Sequence, residues 1–515
     1  MNRKLHLILA FMAATLFVGI MAVPSMAATV VEGPTPIFEG AATADNDLTM
    51  YNDKIALSFA VGTNNYWNMT RGSVLDIGIN DGQNNFKQDL TNDSEFLLDL
   101  WTSTGSYKGE NLLTDVDAKY SVDGDTAKVV MKTRYWVADA DKNGKDDEKE
   151  YGTVQKPLNV TTTYTLKDGD SFVTMVTTVE NPAGNKVTYK NMYSGYSIST
   201  NAASMYGPFG FYPEVKTTGI AVGANEKVQE RFGEFVATYS DSYTASVQMD
   251  DADSYKGSSG YKDVYKLRNI APGHTEKYTG ELLVSDKSET ASIISRYIAR
   301  ENIKDASKLS GTVTDDSGKP VAGAYVIVEK TGVYIPTEKS QSVNGQAVGT
   351  PVANMMPFVW TRTDENGKYS FDLPNTGWND GTKNVLGNSD YTYKLKVEAS
   401  GYTSLLTDEI KLTGDKTEDL KIEQGAHIHL KAVDQKGNAI PFKIQISGIT
   451  AEMKTLGGAV QFSDAFASSN DLDFNLSKAE NVTITATYST PFLSKSASWT
   501  GDITSAGLDH TFVID

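Results

Sequence analysis

Twelve consecutive residues, Asp139-Ala140-Asp141-Lys142-Asn143-Gly144-Lys145-Asp146-Asp147-Glu148-Lys149-Glu150, form the sharpest chemical pattern in the sequence. Counting Asp139 as the first, oxygen-bearing side chains fall at positions 1, 3, 5, 9 and 12: Asp139, Asp141, Asn143, Asp147 and Glu150. Gly144 stands at position 6, where a sharp turn is needed, and Lys145 at position 7 offers its backbone carbonyl. Hard Ca2+ takes six to eight oxygens, and this spacing wraps one short segment around the ion. The expected cofactor is therefore a structural Ca2+. The competing reading is a solvated acidic hairpin tip. One departure stands out: Asp146 occupies position 8, where paired loops of this kind carry an apolar residue.

Other constellations are weaker. His427-Ile428-His429 places two imidazoles on one side of a strand, since side chains alternate with period two. It leads directly into a hairpin sequence, so it reads as a partly exposed strand face. Aromatic residues gather in loop-like segments, at Tyr66-Trp67 and in Tyr206-Gly207-Pro208-Phe209-Gly210-Phe211-Tyr212-Pro213. Such rings stack on the apolar faces of sugars, so Tyr66, Trp67, Tyr206, Phe209, Phe211 and Tyr212 are the candidate ligand-binding residues. The opposing reading is core or interface cover, the usual fate of large aromatics. No Gly-x-Ser-x-Gly elbow or P-loop is present, and no catalytic residue is assigned. A carboxylate pair for glycoside hydrolysis stays open, because 65 acids offer many pairings.

The elements that must position these groups are strands. Ile55, Leu57, Phe59 and Val61 alternate with smaller or polar residues, as do Ala127 to Val137 and Leu158 to Leu166. Lys167-Asp168-Gly169-Asp170 reads as the turn into Phe172–Val179. The acidic loop is therefore expected between two strands. One short helix near 287–302 interrupts the pattern, with Asp286 as its cap, Glu289 closing a capping box, and Ile293, Ile294, Tyr297 and Ile298 on one face. The predicted fold is all-β: a large N-terminal β-supersandwich over 28–305, then two small Ig or transthyretin-like β-sandwiches over 309–423 and 426–515. A long insert, Thr331 to Phe358, interrupts the middle one, with no role assigned.

Composition narrows the class. The 515 residues carry 47 Lys+Arg against 65 Asp+Glu, a net charge of −18 that argues against binding to nucleic acid. The absence of cysteine excludes disulfides, thiolate metal sites and a Cys nucleophile. Met1-Asn2-Arg3-Lys4, an apolar stretch from Leu5 to Val23, and small residues at Ser25 and Ala27 form a signal peptide over 1–27. Its retention as an anchor is the competing reading. No later segment reaches 18 uninterrupted apolar residues, so no membrane insertion is expected after signal removal. The expected location is secreted or cell-surface, in a bacterium.

Three signatures in order resemble the carboxypeptidase regulatory-like domain, a transthyretin-like sandwich. They are Leu309-Ser310-Gly311-Thr312-Val313-Thr314-Asp315-Asp316-Ser317-Gly318 with its return through Val328, then Thr363 to Pro374, then Tyr393 to Tyr402. That resemblance implies a stabilising or spacing module over about 309–423. Asp434…Gly437…Ile440 repeats the Asp315…Gly318…Val321 spacing, which marks a second, diverged sandwich. Met50 to Gly62 and Arg71 to Gly78 are similar to the non-catalytic β region of secreted PHP-type metal-dependent hydrolases. In those proteins a His-x-His strand opens a catalytic barrel, so that resemblance implies a possible separate catalytic partner chain. Residues 139–150 resemble an EF-hand loop grafted onto a β-hairpin. The combined expectation is a non-catalytic scaffold or binding protein whose partner is a polysaccharide or cell-envelope glycan. The alternatives are a carbohydrate-active enzyme with its carboxylates in the N-terminal domain, and a purely structural adhesin or envelope component.

Overall fold

The computed structural model describes residues 27–514 apart from 64–71, 88–92, 100–105, 108–109, 113–114, 200–205, 208–209, 212–234, 240–242, 253, 259–260, 288, 301, 331–340, 344–345, 349–355, 376–391, 400, 404, 448–470, 477 and 491–492. The signal-peptide reading lies outside the described residues. Among those described, no helix is long and apolar enough to cross a membrane.

The protein is all-β. Two large antiparallel sheets form the N-terminal part. One has eight strands in the hydrogen-bonded order Thr29–Glu32, Leu48–Tyr51, Ile55–Phe59, Val74–Ile79, Asp93–Leu97, Tyr189–Ser199, Tyr261–Ile270, Ser254–Ser258. The other has nine: Gly210–Phe211, Tyr206–Gly207, Phe235–Tyr239, Thr244–Met249, Thr275–Ser285, Phe172–Glu180, Leu158–Lys167, Thr126–Tyr135, Asp117–Asp123.

The period-two runs become strands because alternate residues enter the space between sheets. Leu158, Val160, Thr162, Tyr164 and Leu166 are buried, and Asn159 and Lys167 are exposed. Phe59 of the first sheet meets Tyr164 of the second edge-on at 4.8 Å, and Phe96 meets Tyr278 at 4.9 Å. Each such ring contributes roughly 1.5–3 kcal/mol through burial. The interior beside Ser73, Glu95, Thr133 and Thr162 keeps a cavity of about 20 Å³, enough for one water and too small for a sugar.

Smaller sheets follow. Lys368–Pro374, Ala306–Asp315, Lys416–Thr417 and Leu420–Ile422 make one, and Met356–Arg362, Tyr325–Lys330, Tyr393–Glu398 and Leu405–Leu406 another. Asp471–Leu476, Ala426–Val433 and Leu508–Val513 form a third, and Lys443–Ser447, Ala479–Thr490 and Leu493–Ile503 a fourth. The last two enclose a separate core that includes Ile428, Leu430, Phe442, Ile484 and Phe512. One continuous core runs from the large sheets into the two sheets that precede them. Of the insert at 331–358, the described parts include a small hairpin of Gln341–Val343 and Gln346–Val348.

Two helices occur among the described residues where one was expected. The expected one spans Ala291–Arg300, with Ile293, Ile294 and Tyr297 buried as predicted. It starts later than predicted and the capping box does not form. Glu289 instead accepts from Ser285 Oγ at 2.8 Å and Thr361 Oγ1 at 2.5 Å. Thr290 precedes the helix and exchanges two hydrogen bonds with the Trp360 backbone, at 2.9 and 3.1 Å. Thr361 and Trp360 come from another sheet, which local sequence cannot announce. Arg296 seals the helix to the nine-stranded sheet: it pairs with Glu281 and lies 3.8 Å from the Phe172 ring centroid.

Candidate metal centre

The acidic loop connects Thr126–Tyr135 to Leu158–Lys167, whose register sets Tyr135 opposite Leu158. Tyr135 is fully buried and donates its hydroxyl to Asp99 Oδ2 at 3.1 Å, which fixes the point where the chain leaves the sheet. The chain then turns tightly, with Lys142 at φ 55° and Gly144 at φ 86°. Asp139 holds this turn by accepting from Asn143 N at 3.0 Å and Gly144 N at 2.9 Å. Asn143 Oδ1 accepts from Lys145 N at 2.9 Å.

The expected exit strand forms as Leu158–Lys167, but a short helix not expected from the sequence precedes it. Residues Asp147–Tyr151 form a short helix closed by Gly152 in the left-handed region. Asp146 is its N-cap, accepting from Lys149 N at 3.2 Å. This explains the irregular position 8. A side-chain acceptor is favoured at a cap, and an apolar residue would leave that helix N–H to water alone.

The helix start swings Asp147 inward. It is only 2% exposed, its N–H donates to Ala138 O at 2.8 Å, and its Oδ2 accepts from Ala140 N at 2.9 Å. Its Oδ1 is buried and has no hydrogen-bond partner. Carboxylate oxygens of Asp139, Asp141 and Asp147 all lie within 4.8 Å of one another. Burial raises the Asp147 pKa, and the neighbouring charges of Asp141, Asp139 and Glu150 add to the rise, against the opposing hydrogen bond from Ala140.

Of the four carboxylates predicted to hold the ion, the structure brings together Asp139, Asp141 and Asp147. Asn143 Nδ2 donates to Asp141 Oδ2 at 3.2 Å and to Glu150 Oε2 at 2.6 Å, and Lys145 Nζ stands 3.3 Å from Glu150 Oε1. Lys190 Nζ lies 3.5 Å from Asp141 Oδ2. Lys142 turns away to Asp99 at 2.7 Å and to the Asn191 carbonyl at 2.8 Å. These contacts tie the loop to the strand Tyr189–Ser199, whose pairing slips between Tyr189 and Met192.

Of the aromatic candidates, Tyr66, Trp67, Phe209 and Tyr212 lie outside the described residues. The backbones of Tyr206 and Phe211 pair with each other in a small hairpin at the edge of the nine-stranded sheet. That hairpin abuts the strand Met356–Arg362. His427 and His429 share the outer face of a strand, as predicted. Sequence reasoning missed a buried ion pair on one strand, Lys396 Nζ to Glu398 Oε1 at 2.6 Å. The Lys-x-Glu spacing was its only signal.

No family model matches the chain, and no curated protein is detectably similar to it. Among solved structures it is similar to an alpha-mannosidase from Enterococcus faecalis V583, with 12% identity over 65% of this chain and 43% of that one, at a TM-score of 0.35. It is also similar to the Slr1438 protein from Synechocystis sp. PCC 6803, at 7% identity, 46% and 93% coverage and a TM-score of 0.29. A third is the shaft pilin spaA from Lactobacillus rhamnosus GG, at 13% identity, 41% and 97% coverage and a TM-score of 0.20. The chain spans less than half the length of the mannosidase. At such scores none of these likenesses carries a functional argument, and the chain stands as an all-β protein of stacked antiparallel sheets.

Proposed function

We propose that this is an extracytoplasmic all-β scaffold or binding protein whose N-terminal sandwich is stabilised by one Ca2+ at the 139–150 loop. The observations that carry the calcium reading are at Asp147, whose Oδ1 is buried without a hydrogen-bond partner and whose carboxylate lies within 4.8 Å of those of Asp139 and Asp141. A buried carboxylate oxygen without a donor is costly, and three converging carboxylates repel one another. A dication coordinated by Asp139, Asp141 and Asp147 relieves both costs, and Asn143, Glu150 and the Lys145 carbonyl are within the same short loop to complete an all-oxygen shell. The ion's role is structural: it holds the hairpin against the irregular start of Tyr189–Ser199.

The domain division at 28–305, 309–423 and 426–515, the regulatory-like character of the middle module and the signal peptide belong to the same proposal. The proposed ligand class is a polysaccharide or cell-envelope glycan. The test is a thermal melt and a calorimetric Ca2+ titration of the wild type and Asp147→Asn, with glycan-array binding read in calcium and in EDTA. The expected result is one calcium site that raises the melting temperature and is lost in Asp147→Asn. Identical melts in calcium and EDTA overturn the calcium reading. Absence of glycan binding in both conditions overturns the ligand and leaves a structural component.

A further inference from the structure

The signal-peptide reading puts the first mature residue at Ala28, and the fold gives that residue a fixed carboxylate partner. Ala28 is fully buried and belongs to the core of the large sheets, whereas Ala27 beside it is exposed. The Ala28 nitrogen donates to Asp168 Oδ1. Thr29–Glu32 begins at the next residue and is an edge strand, paired among the described strands with Leu48–Tyr51 alone. Four residues bonded on one side hold a chain end weakly, and a terminal strand stays ordered only where it is tied down.

Asp168 is itself held by two neighbouring turns. Its N–H donates to Asp125 O at 2.9 Å, and the N–H of Gly169 donates to Asp53 Oδ1 at 3.1 Å. Asn52 Nδ2 donates to the carbonyls of Lys167 and Asp170, both at 2.7 Å. Gly169 turns the chain there with φ 70°. The carboxylate is therefore positioned by contacts that do not involve the N-terminus. The turns at 52–54, 124–125 and 167–170 carry Asp53, Asp125, Asp168 and Asp170 against Lys54 and Lys167, a balance that favours a cation.

We propose that removal of residues 1–27 turns the Ala28 nitrogen from a neutral amide into an α-ammonium that pairs with Asp168 and locks the first strand. This rests on the signal-peptide reading given under the proposed function. Hydrolysis of the Ala27–Ala28 peptide bond adds one water, leaving a carboxylate on Ala27 and the ammonium on Ala28. The nitrogen belongs to Ala28 before and after cleavage, so it keeps its place against Asp168. Its charge changes: an α-amino group titrates at about 7.7–8.0 and is mostly protonated at pH 7. A carboxylate attracts a full positive charge more strongly than an amide dipole, the more so where the pair is partly withdrawn from water. Loss of the exposed Ala27 opens the outer side of the nitrogen to water, which takes the two remaining ammonium protons. In the precursor the strand is held by the amide alone.

The test has two arms. In the first, the 1–515 precursor is expressed in a secreting bacterial host and the exported protein is read by N-terminal sequencing and intact mass. The expected first residue is Ala28. A retained leader or another first residue overturns the signal-peptide reading, and the maturation role falls with it. The second arm compares purified 28–515 with 27–515, which keeps the Ala28 N–H but moves the charge to an exposed residue. At pH 7, amide hydrogen exchange across Thr29–Glu32 should be roughly fivefold faster in 27–515, and its melting temperature lower by roughly 2–4 °C. Nα-acetylated 28–515 should match 27–515, and both differences should vanish in Asp168→Asn. Equal exchange and melting in 28–515, 27–515 and the acetylated chain overturns the lock and leaves the signal-peptide reading standing. A difference that persists in Asp168→Asn also overturns it, because the charge would then act on another group.

Discussion

The loop at 139–150 and the hairpin turns at Asp315, Asp364 and Asp434 are written in the same residues, yet Asp147 in the loop and Asp315 and Asp434 in the turns are pushed in opposite directions. In each turn one aspartate accepts from the backbone two and four residues ahead. Asp315 takes Ser317 N and Lys319 N at 2.9 and 2.8 Å, and Asp434 takes Lys436 N and Asn438 N, both at 2.8 Å. Asp364 does the same with Asn366 and Lys368 at 2.8 Å. A side-chain hydrogen bond, from Ser317 or Asn438, is the main reason the Asp315 and Asp434 carboxyls titrate below their ordinary value. Asp147 is pushed the other way, by burial first and by neighbouring carboxylates second. One carboxylate per turn is satisfied by the backbone. Three converge in the loop, where Asp147 Oδ1 is buried without a hydrogen-bond partner.

The largest effect that would break this contrast is calcium itself. At a hundred times its dissociation constant, Ca2+ should stabilise the wild type by about 2.7 kcal/mol over EDTA, read by urea or thermal unfolding. Asp147→Asn should abolish that difference, while Asp434→Ala should preserve it. Equal calcium responses in the two variants would remove the distinction between loop and turn.

Glycine substitutions sharpen the turn side of the comparison. Gly437 has φ 81° with open space around it, so Gly437→Ala should cost only the left-handed backbone penalty, about 1–2 kcal/mol. Gly367 has φ 73° in the equivalent turn, but an added Cβ would meet Val313 O at 2.5 Å. Gly367→Ala should therefore cost more than Gly437→Ala in the same unfolding measurement.

Acid titration gives a smaller, sign-specific effect. A raised Asp147 pKa destabilises the calcium-free fold above that pKa, and the cost is relieved as pH falls towards the ordinary value of 3.8. In EDTA, wild type should therefore gain stability relative to Asp147→Asn on acidification within that window. Asp315 and Asp434 act oppositely: their stabilisation is present above 3.8 and is lost as pH falls through their lowered values. The smallest expected effect is on Asp434→Ala, whose unfolding midpoint should fall slightly at neutral pH and match the wild type in strong acid.

Much of the architecture was legible because alternation is a local signal. The runs beginning at Ile55, Ala127, Leu158 and Phe172 appear as the strands Ile55–Phe59, Thr126–Tyr135, Leu158–Lys167 and Phe172–Glu180. The Asp434 hairpin folds as the Asp315 hairpin does, as their shared spacing implied. The helix start was misread at Asp286 because Glu289 is drawn away by Ser285 and Thr361. Asp146 looked like a defect in the loop until the helix it caps was seen. The aromatic residues carried no comparable geometric rule, since nothing in a Gly-Pro-Phe-Gly-Phe-Tyr run states which surface will meet it.

The sequence by itself determined the all-β class, the strand phases and the positions of the oxygen donors between Asp139 and Glu150, because each follows from spacing over a few residues. Only the tertiary structure decided which donors converge. Burial of Asp147 depends on the fold around Ala138 and Ala140, and the carboxylates beside His427 and His429 arrive from strands about 40 and 80 residues away. Convergence of charge is a long-range property, set by strand register and by what water can no longer reach.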